Sequence, residues 1–112
     1  MFNPMEFNRI KLADLRPGME HLDFKLTIVR ISGVRKVKTY SGLEHSILEG
    51  EVTDNNTVIP FAVWNEKISL FDKLTPSDKV ELLNCFITSF KGVLQLNVGR
   101  DSLVRREEEK AE

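Results

Sequence analysis

Apolar and polar residues alternate most cleanly between residues 58 and 98. Val58–Trp64 reads VIPFAVW, with Ile59, Phe61 and Val63 on one side and Val58, Pro60, Ala62 and Trp64 on the other. That is the period-two signature of a strand. Pro60 has no backbone donor and belongs at an edge or an irregularity. The same signature predicts a first strand over 24–31 (FKLTIVRI), with Phe24, Leu26 and Ile28 on one face, and a second over 45–53 that contains Gly50. Ser32-Gly33 offers a bend or bulge after the first. Glycine inside the second marks a bulge, a sharp bend or a close backbone approach. Asp54-Asn55-Asn56-Thr57 has hairpin-turn chemistry, and Lys79–Phe90 and Val93–Val98 read as a fourth and fifth strand joined at Lys91-Gly92.

Between the third and fourth strands, NEKISLFDKLTPSD predicts a short helix. Asn65 serves as its N-cap, Ile68, Phe71 and Leu74 face inward, and Thr75-Pro76 ends it. Residues 1–21 form a lead-in, with a turn at Arg16-Pro17-Gly18-Met19. Residues 101–112 (DSLVRREEEKAE) hold few apolar groups and a charge run, so a frayed or disordered tail is expected. The chain therefore reads as one domain over 1–100 with a short charged tail over 101–112. Five strands, one short helix between the third and fourth, and a bend early in the sheet predict an all-β, five-stranded closed barrel of the oligonucleotide-binding (OB) type. Closure removes the open edges a flat sheet must protect. An SH3-like barrel is the nearest competitor, and the helical segment favours the OB order.

The fourth and fifth strands, NCFITSFKGVLQLNVGR, carry an anomaly. Leu83, Cys85 and Ile87 line one face, yet Phe86, Thr88 and Phe90 line the other. Trp64 likewise opposes the Ile59, Phe61, Val63 face. If the aliphatic sides fill the barrel, three large rings project outward. Exposed rings need a cover, and nucleobases offer π-faces to stack on them. The competing structural reading is that both faces are buried, the second one under the N-terminal segment or another subunit. Val80 and Leu82 share the parity of Phe86, which favours that competitor unless a bulge near Asn84 resets the phase.

Composition narrows the function classes. Of 112 residues, 41% are hydrophobic and 29% charged, as in ordinary soluble domains. No apolar run is long enough for a membrane span, and the first residues lack the features of a signal peptide. One cysteine, Cys85, precludes an intramolecular disulfide and fits a reducing compartment. A cytoplasmic protein is expected, or a nuclear one in a eukaryote. His21, His45 and Cys85 show no metal-ligand spacing, and there is no phosphate loop or nucleophile elbow. No catalytic residue, metal or cofactor is predicted, and the expectation is a binding protein.

The net charge of −1 is low for a nucleic-acid binder. The tail, however, holds five acids and three bases, which leaves residues 1–100 with 12 acids and 13 bases. Arg30, Arg35, Lys36 and Lys38 lie in 24–43, a window without an acid. Arg35, Lys36 and Lys38 fall on the connection between the first two strands, which in an OB barrel borders the binding face. Lys91 sits beside Phe90. Cations next to stacking rings suit a single strand, in which phosphates and bases alternate. A solvated loop is the plain alternative for such a run.

KLADLRPGME, the strand ending AVW, and the F-x-x-x-F-K-G-x-L-x-L pattern from Phe86 to Leu96 resemble the single-OB, single-stranded-DNA-binding proteins of archaea. They are also similar to eukaryotic relatives of those proteins and to domains of replication protein A. The resemblance covers about residues 10–100. It implies base stacking on Trp64, Phe86 and Phe90. Some relatives carry a further aromatic at the position of Asn97, which is absent here, and Phe86 stands where Trp or Tyr is usual. Phosphates would then meet Arg35, Lys36, Lys38 and Lys91. The expected partner is single-stranded DNA in replication, recombination or repair, with RNA as a second ligand class and repair or replication proteins as further partners. The protein is expected to be monomeric or weakly self-associating. The rival from another class is an OB subunit turned protein-interaction scaffold, its aromatics covered by a partner.

Overall fold

A computed structural model describes residues 10–107. Six strands follow one another: β1 (Leu22–Lys38), β2 (Glu44–Thr53), β3 (Val58–Trp64), β4 (Lys79–Phe90), β5 (Val93–Val98) and β6 (Leu103–Arg106). Short 3-10 helices occupy Leu12–Asp14 and Asn65–Phe71. The strands run in the order β1-β2-β3-β5-β4, and β1 also pairs with β4, which closes a five-stranded barrel. β3 and β5 are parallel; the other pairs are antiparallel. The predicted OB-type barrel is what forms, and β3, β4 and β5 carry the expected boundaries. Among the described residues no helix is long and apolar enough to cross a membrane.

β1 is the closing element. Its first half lies against β4, with Phe24 opposite Leu82 and Leu26 opposite Val80, and its second half lies against β2 as far as Lys38 opposite Glu44. Two register shifts help it swing from one partner to the other. One lies between Ile28 and Arg30, and the second, between Ile31 and Val34, is the bulge that Ser32-Gly33 suggested. The first strand is thus 17 residues long, far longer than 24–31. The basic run that read as a connection is the outer half of β1, one side of a hairpin arm with its tip at Thr39–Leu43.

Phe24, Leu26, Ile28, Phe61, Val63, Leu96 and Val98 point inward and are fully buried or nearly so. Leu12 and Leu15 from the lead-in, and Phe71 and Leu74 from the segment after β3, complete the core, with Phe71 stacked on Phe61 at 5.6 Å between ring centroids. Asn65 is not the helix N-cap that the sequence suggested; Trp64 holds that place, without a side-chain cap. Asn65 instead adopts a left-handed φ of 54° and turns its amide to β2, where Oδ1 accepts the Ser46 N–H at 3.0 Å.

β4 explains its own conflicting parity. From Leu22 opposite Cys85 to Phe24 opposite Leu82, β1 advances two residues while β4 advances three. The extra residue is a β-bulge at Asn84, whose φ of 60° suits asparagine better than most residues. The bulge is held by tertiary contacts. Asp23 accepts the Asn84 N–H at 2.9 Å, Asn84 Oδ1 meets His21 Nδ1 at 2.8 Å, and Nδ2 donates to the Asp101 carbonyl. Val80 and Leu82 therefore face inward before the bulge, and Cys85 and Ile87 do so after it. Leu83, expected on the core face, is outside and lies opposite Leu103 of β6.

The expectation of a frayed tail also needs correction at its start. Leu103–Arg106 forms β6 on β4, where Arg105 reaches Glu81 at 2.9 Å and Arg106 reaches Asp78 at 3.4 Å. The rest of that expected tail, 108–112, lies outside the described residues, as do 1–9 of the lead-in.

The Asp54 turn ties the lead-in to the barrel. One carboxylate oxygen accepts the N–H groups of Asn56 and Thr57, and the other accepts Leu12 N–H at 3.1 Å. Burial pushes this carboxyl up, and those backbone donors outweigh it and hold the pKa below its ordinary value. A depressed carboxyl stabilises the fold above its unfolded pKa and loses that contribution as pH falls through the folded one. Asp54→Ala is expected to cost ~1–2 kcal/mol at neutral pH. Urea midpoints of parent and variant should converge in acid. A gap independent of pH would contradict the assignment.

Candidate nucleic-acid interface

Once the bulge resets β4, the outward parity is unambiguous. Phe86, Thr88 and Phe90 stand opposite Asn97, Gln95 and Val93 of β5. Asn97 in turn pairs with Ala62 of β3, whose outward neighbours are Pro60 and Trp64. The three rings thus share one outer face of the barrel. Their exposure is graded: Trp64 and Phe86 are half-buried, whereas Phe90 is 74% exposed.

Each ring is seated differently. Trp64 donates from Nε1 to Asn97 Oδ1 at 3.1 Å and meets the His45 ring edge-on, with centroids 5.7 Å apart at 77°. Asn65 Nδ2, 3.0 Å from His45 Nδ1, holds that imidazole in place. Phe86 lies over Gly99. A Cβ at Gly99 would sit 3.0 Å from the Phe86 ring, closer than packing normally allows, so glycine lets this ring lie down on the sheet. Phe90 carries the Lys91 ammonium 5.2 Å from its centroid, within cation–π range. The Lys91-Gly92 turn has φ of 53° and 81°, as a tight type I′ hairpin requires. A groove of about 320 Å³ opens beside Phe90, floored by Pro60, Thr88, Val93 and Gln95.

The basic run does not act as one patch. Arg35 pairs with Ile47, which pairs with Trp64, so Arg35 shares the aromatic face. Its guanidinium grips Glu49 through two hydrogen bonds of 2.9 and 3.1 Å. The hydrogen-bonded Arg35 holds the Glu49 carboxyl below its ordinary value, and Glu49 raises Arg35 in return. Arg30 makes a single hydrogen bond to Glu51, from Nε to Oε1 at 3.0 Å, and turns Nη1 to Ser32 Oγ. Lys36 and Lys38, opposite Ser46 and Glu44, have the other parity and leave the arm on its reverse side. Both are exposed, and neither has an ion-pair partner among the described residues. Lys91 is at the far end of the face, beside Phe90.

Asn97 was not singled out as a site residue by the sequence. It is 1% exposed and joins Trp64, Gln95, Thr88 and Phe86 through one amide. The outward polar parity of Gln95 and Asn97 was visible, but the network needs β3 alongside β5, which only barrel closure provides. Chemically, the face offers flat apolar surfaces with cations at its margins. Cys85 lies inside the barrel, its thiol pushed up to about 12 by burial. Among the described residues no cluster of His, Cys, Asp or Glu could hold a metal ion.

The family model for Ssb-like single-stranded DNA binding proteins with an OB fold matches residues 15–105. The single-stranded DNA binding protein Ssb of Saccharolobus solfataricus is 27% identical over 89 residues, 80% of this chain and 57% of that protein. The chain thus spans a little over half the length of that relative. Among solved structures, the replication factor A related protein of Methanobacterium thermoautotrophicum superposes with a TM-score of 0.74 at 21% identity, over 92% of this chain and 94% of that one. The OB domain of Ta0387 from Thermoplasma acidophilum gives 0.72 at 19% identity, over 92% and 90%. These two likenesses bear on the fold. With a barrel of this order and a family match over most of its length, the chain belongs to the Ssb-like OB-fold family of single-stranded DNA binding proteins.

Proposed function

We propose that this protein binds single-stranded DNA with little regard for base sequence, in replication, recombination or repair. Bases stack on Trp64, Phe86 and Phe90, and phosphates meet Lys36, Lys38, Lys91 and Arg35. The observation that carries the reading is the sharing of one outward barrel face by three rings from β3 and β4. One barrel should cover only a few nucleotides, near the low end of the ~4–16 range for OB folds. Long strands would then need several copies side by side. Stacking does not inspect the 2′-hydroxyl, so the same face would accept single-stranded RNA unless a dedicated contact reads that group.

Arg35 adds a condition. Glu49 occupies the Nε–Nη2 edge of its guanidinium and offsets its charge, so a phosphate would meet the remaining N–H donors beside a carboxylate. Lys91, seated on the ring face, is therefore the readiest phosphate contact, and the unpaired Lys36 and Lys38 serve a strand that wraps round the arm to its reverse side. The paired glutamates on the face, Glu49 and Glu51, are also what a protein-interaction scaffold would carry, and the test below separates the two.

Trp64 is the only tryptophan, so its emission reports one place. Titration with oligo-dT at low and moderate salt should give saturable quenching that weakens with salt. Single-strand binding loses roughly 0.7 log units of affinity per log unit of salt for each phosphate contacted. Three or four contacts predict a slope of about −2 to −3. Changing Lys36 and Lys38 to alanine should flatten it by about 1.4 without altering base preference. An unchanged slope would move the phosphate path off the arm. No binding at low salt by a folded protein would favour the scaffold.

A further inference from the structure

Asn97 stands on the outward parity of β5, where a polar side chain normally meets water, yet it is 1% exposed. Its Oδ1 accepts Trp64 Nε1–H at 3.1 Å and Gln95 Nε2–H at 3.0 Å. Its Nδ2 lies 3.0 Å from Thr88 Oγ1, 3.2 Å from the Gln95 carbonyl and 3.3 Å from the Phe86 carbonyl. An amide oxygen offers two lone pairs and its nitrogen two hydrogens. Every site on this amide is engaged within the protein. It has nothing left for a base.

We infer that Asn97 is a positioning residue for nucleic-acid binding, which fixes the plane of the Trp64 indole and its place relative to Phe86 before a strand arrives. The inference rests on the stacking function proposed above. An indole at the end of a strand turns about two side-chain torsions, and a base can stack only on a ring whose face is presented. Here the Nε1–H is pinned by Asn97 from one side, while the His45 edge contact, backed by Asn65, limits the ring from the other. The same amide bonds to the backbone of Phe86 and the hydroxyl of Thr88, so the β3 and β4 stacking positions are set from one point on the intervening β5. Side-chain ordering completed during folding is not charged against binding. Saturation of the amide has a second consequence. The centre of the face presents no Asn97 donor or acceptor to a base edge, which suits a site that does not read sequence.

The experiment uses the full chain and two readouts. Trp64 anisotropy and acrylamide quenching are measured on the free protein, and affinity is measured from the anisotropy of fluorescein-labelled oligo-dT. Asn97→Leu keeps the size and removes every hydrogen bond. In the folded variant, Trp64 should become more mobile and more readily quenched, and affinity should fall ~3- to 10-fold, the size expected for one side chain ordered only on binding. Phe90→Ala serves as the control: it should lose affinity and leave the free-state Trp64 signature unmoved. If the leucine variant does not fold, Asn97→Ser, which is too short to reach the indole, carries the same comparison. A rigid Trp64 in the folded variant, or a mobile Trp64 with unchanged affinity, overturns the positioning role while leaving stacking intact. A parent protein that does not bind oligo-dT overturns stacking itself.

Discussion

Trp64→Ala and Phe86→Ala should each weaken binding to oligo-dT by about 1–3 kcal/mol, roughly 5- to 150-fold. The size follows from what alanine removes, one ring face against one base, in positions where the ring is already half-buried and seated. Trp64 is held by Asn97 and His45, and Phe86 rests on Gly99. Phe90 is 74% exposed at the end of β4, so part of its stacking energy is spent on ordering the ring, and Phe90→Ala should fall at the low end of the range. The two larger effects should depart from additivity by about 0.5 kcal/mol or more, because Asn97 bonds to both the Trp64 indole and the Phe86 carbonyl and so couples the two positions. Labelled oligo-dT is the probe, since Trp64→Ala removes the intrinsic one. Urea midpoints of the single and double variants check that the barrel persists. A folded double variant with parental affinity would leave the outward rings without the role assigned to them.

The rings were legible in the sequence because their parity conflicted with the aliphatic one, and that conflict is a local property of VIPFAVW and CFITSF. The boundaries of β3, β4 and β5 were legible for a related reason: Asp54-Asn55-Asn56-Thr57 and Lys91-Gly92 punctuate them, and alternation is strict between. The outer half of β1 was not. A hairpin arm that outruns the barrel has no core to face, and Val34 is 55% exposed although its partner Leu48 is buried, so the apolar signal fades while the pairing continues. β6 escaped notice because it is only four residues long, and its ladder with β4, the packing of Val104 and the ion pairs to Glu81 and Asp78 all come from partners distant in sequence.

The Asn84 bulge is the instructive failure. Without it Val80 and Leu82 share the parity of Phe86, which weighs toward a strand buried on both sides and against the outward rings. Its left-handed φ is tolerated by asparagine but specified by Asp23, His21 and Asp101, residues distant in sequence. Period-two reasoning shows where a phase shift would resolve the conflict, near Asn84, but cannot establish a shift that tertiary contacts create. The phosphate ligands were blurred for a similar reason: charge in a run says nothing about parity, and parity sends Arg35 to one side of the arm and Lys36 and Lys38 to the other.

Gly50→Ala should be the most damaging single-methyl change in the barrel. A Cβ at this position would stand 2.2 Å from the Arg30 carbonyl oxygen and 2.7 Å from the Phe61 ring. The first neighbour is backbone and the second a fully buried core ring stacked on Phe71, so neither can swing aside cheaply. Overpacking a core costs typically ~1–3 kcal/mol, and a backbone collision places this case at or above ~3. The location compounds the cost. Gly50 pairs with Ile31 in the stretch where β1 shifts register twice after leaving β4 for β2, the crossing that closes the barrel. Relief would come from prising β1 off β2, and the arm that carries Arg35, Lys36 and Lys38 would move with it. A large drop in urea midpoint is therefore expected, together with a loss of salt-sensitive oligo-dT affinity in whatever fraction remains folded. Phe61→Leu, which shortens the opposing ring, should recover part of the stability in the double variant. A Gly50→Ala protein with a parental midpoint would mean that β1 and β2 separate at little cost, and that barrel closure does not depend on this close approach.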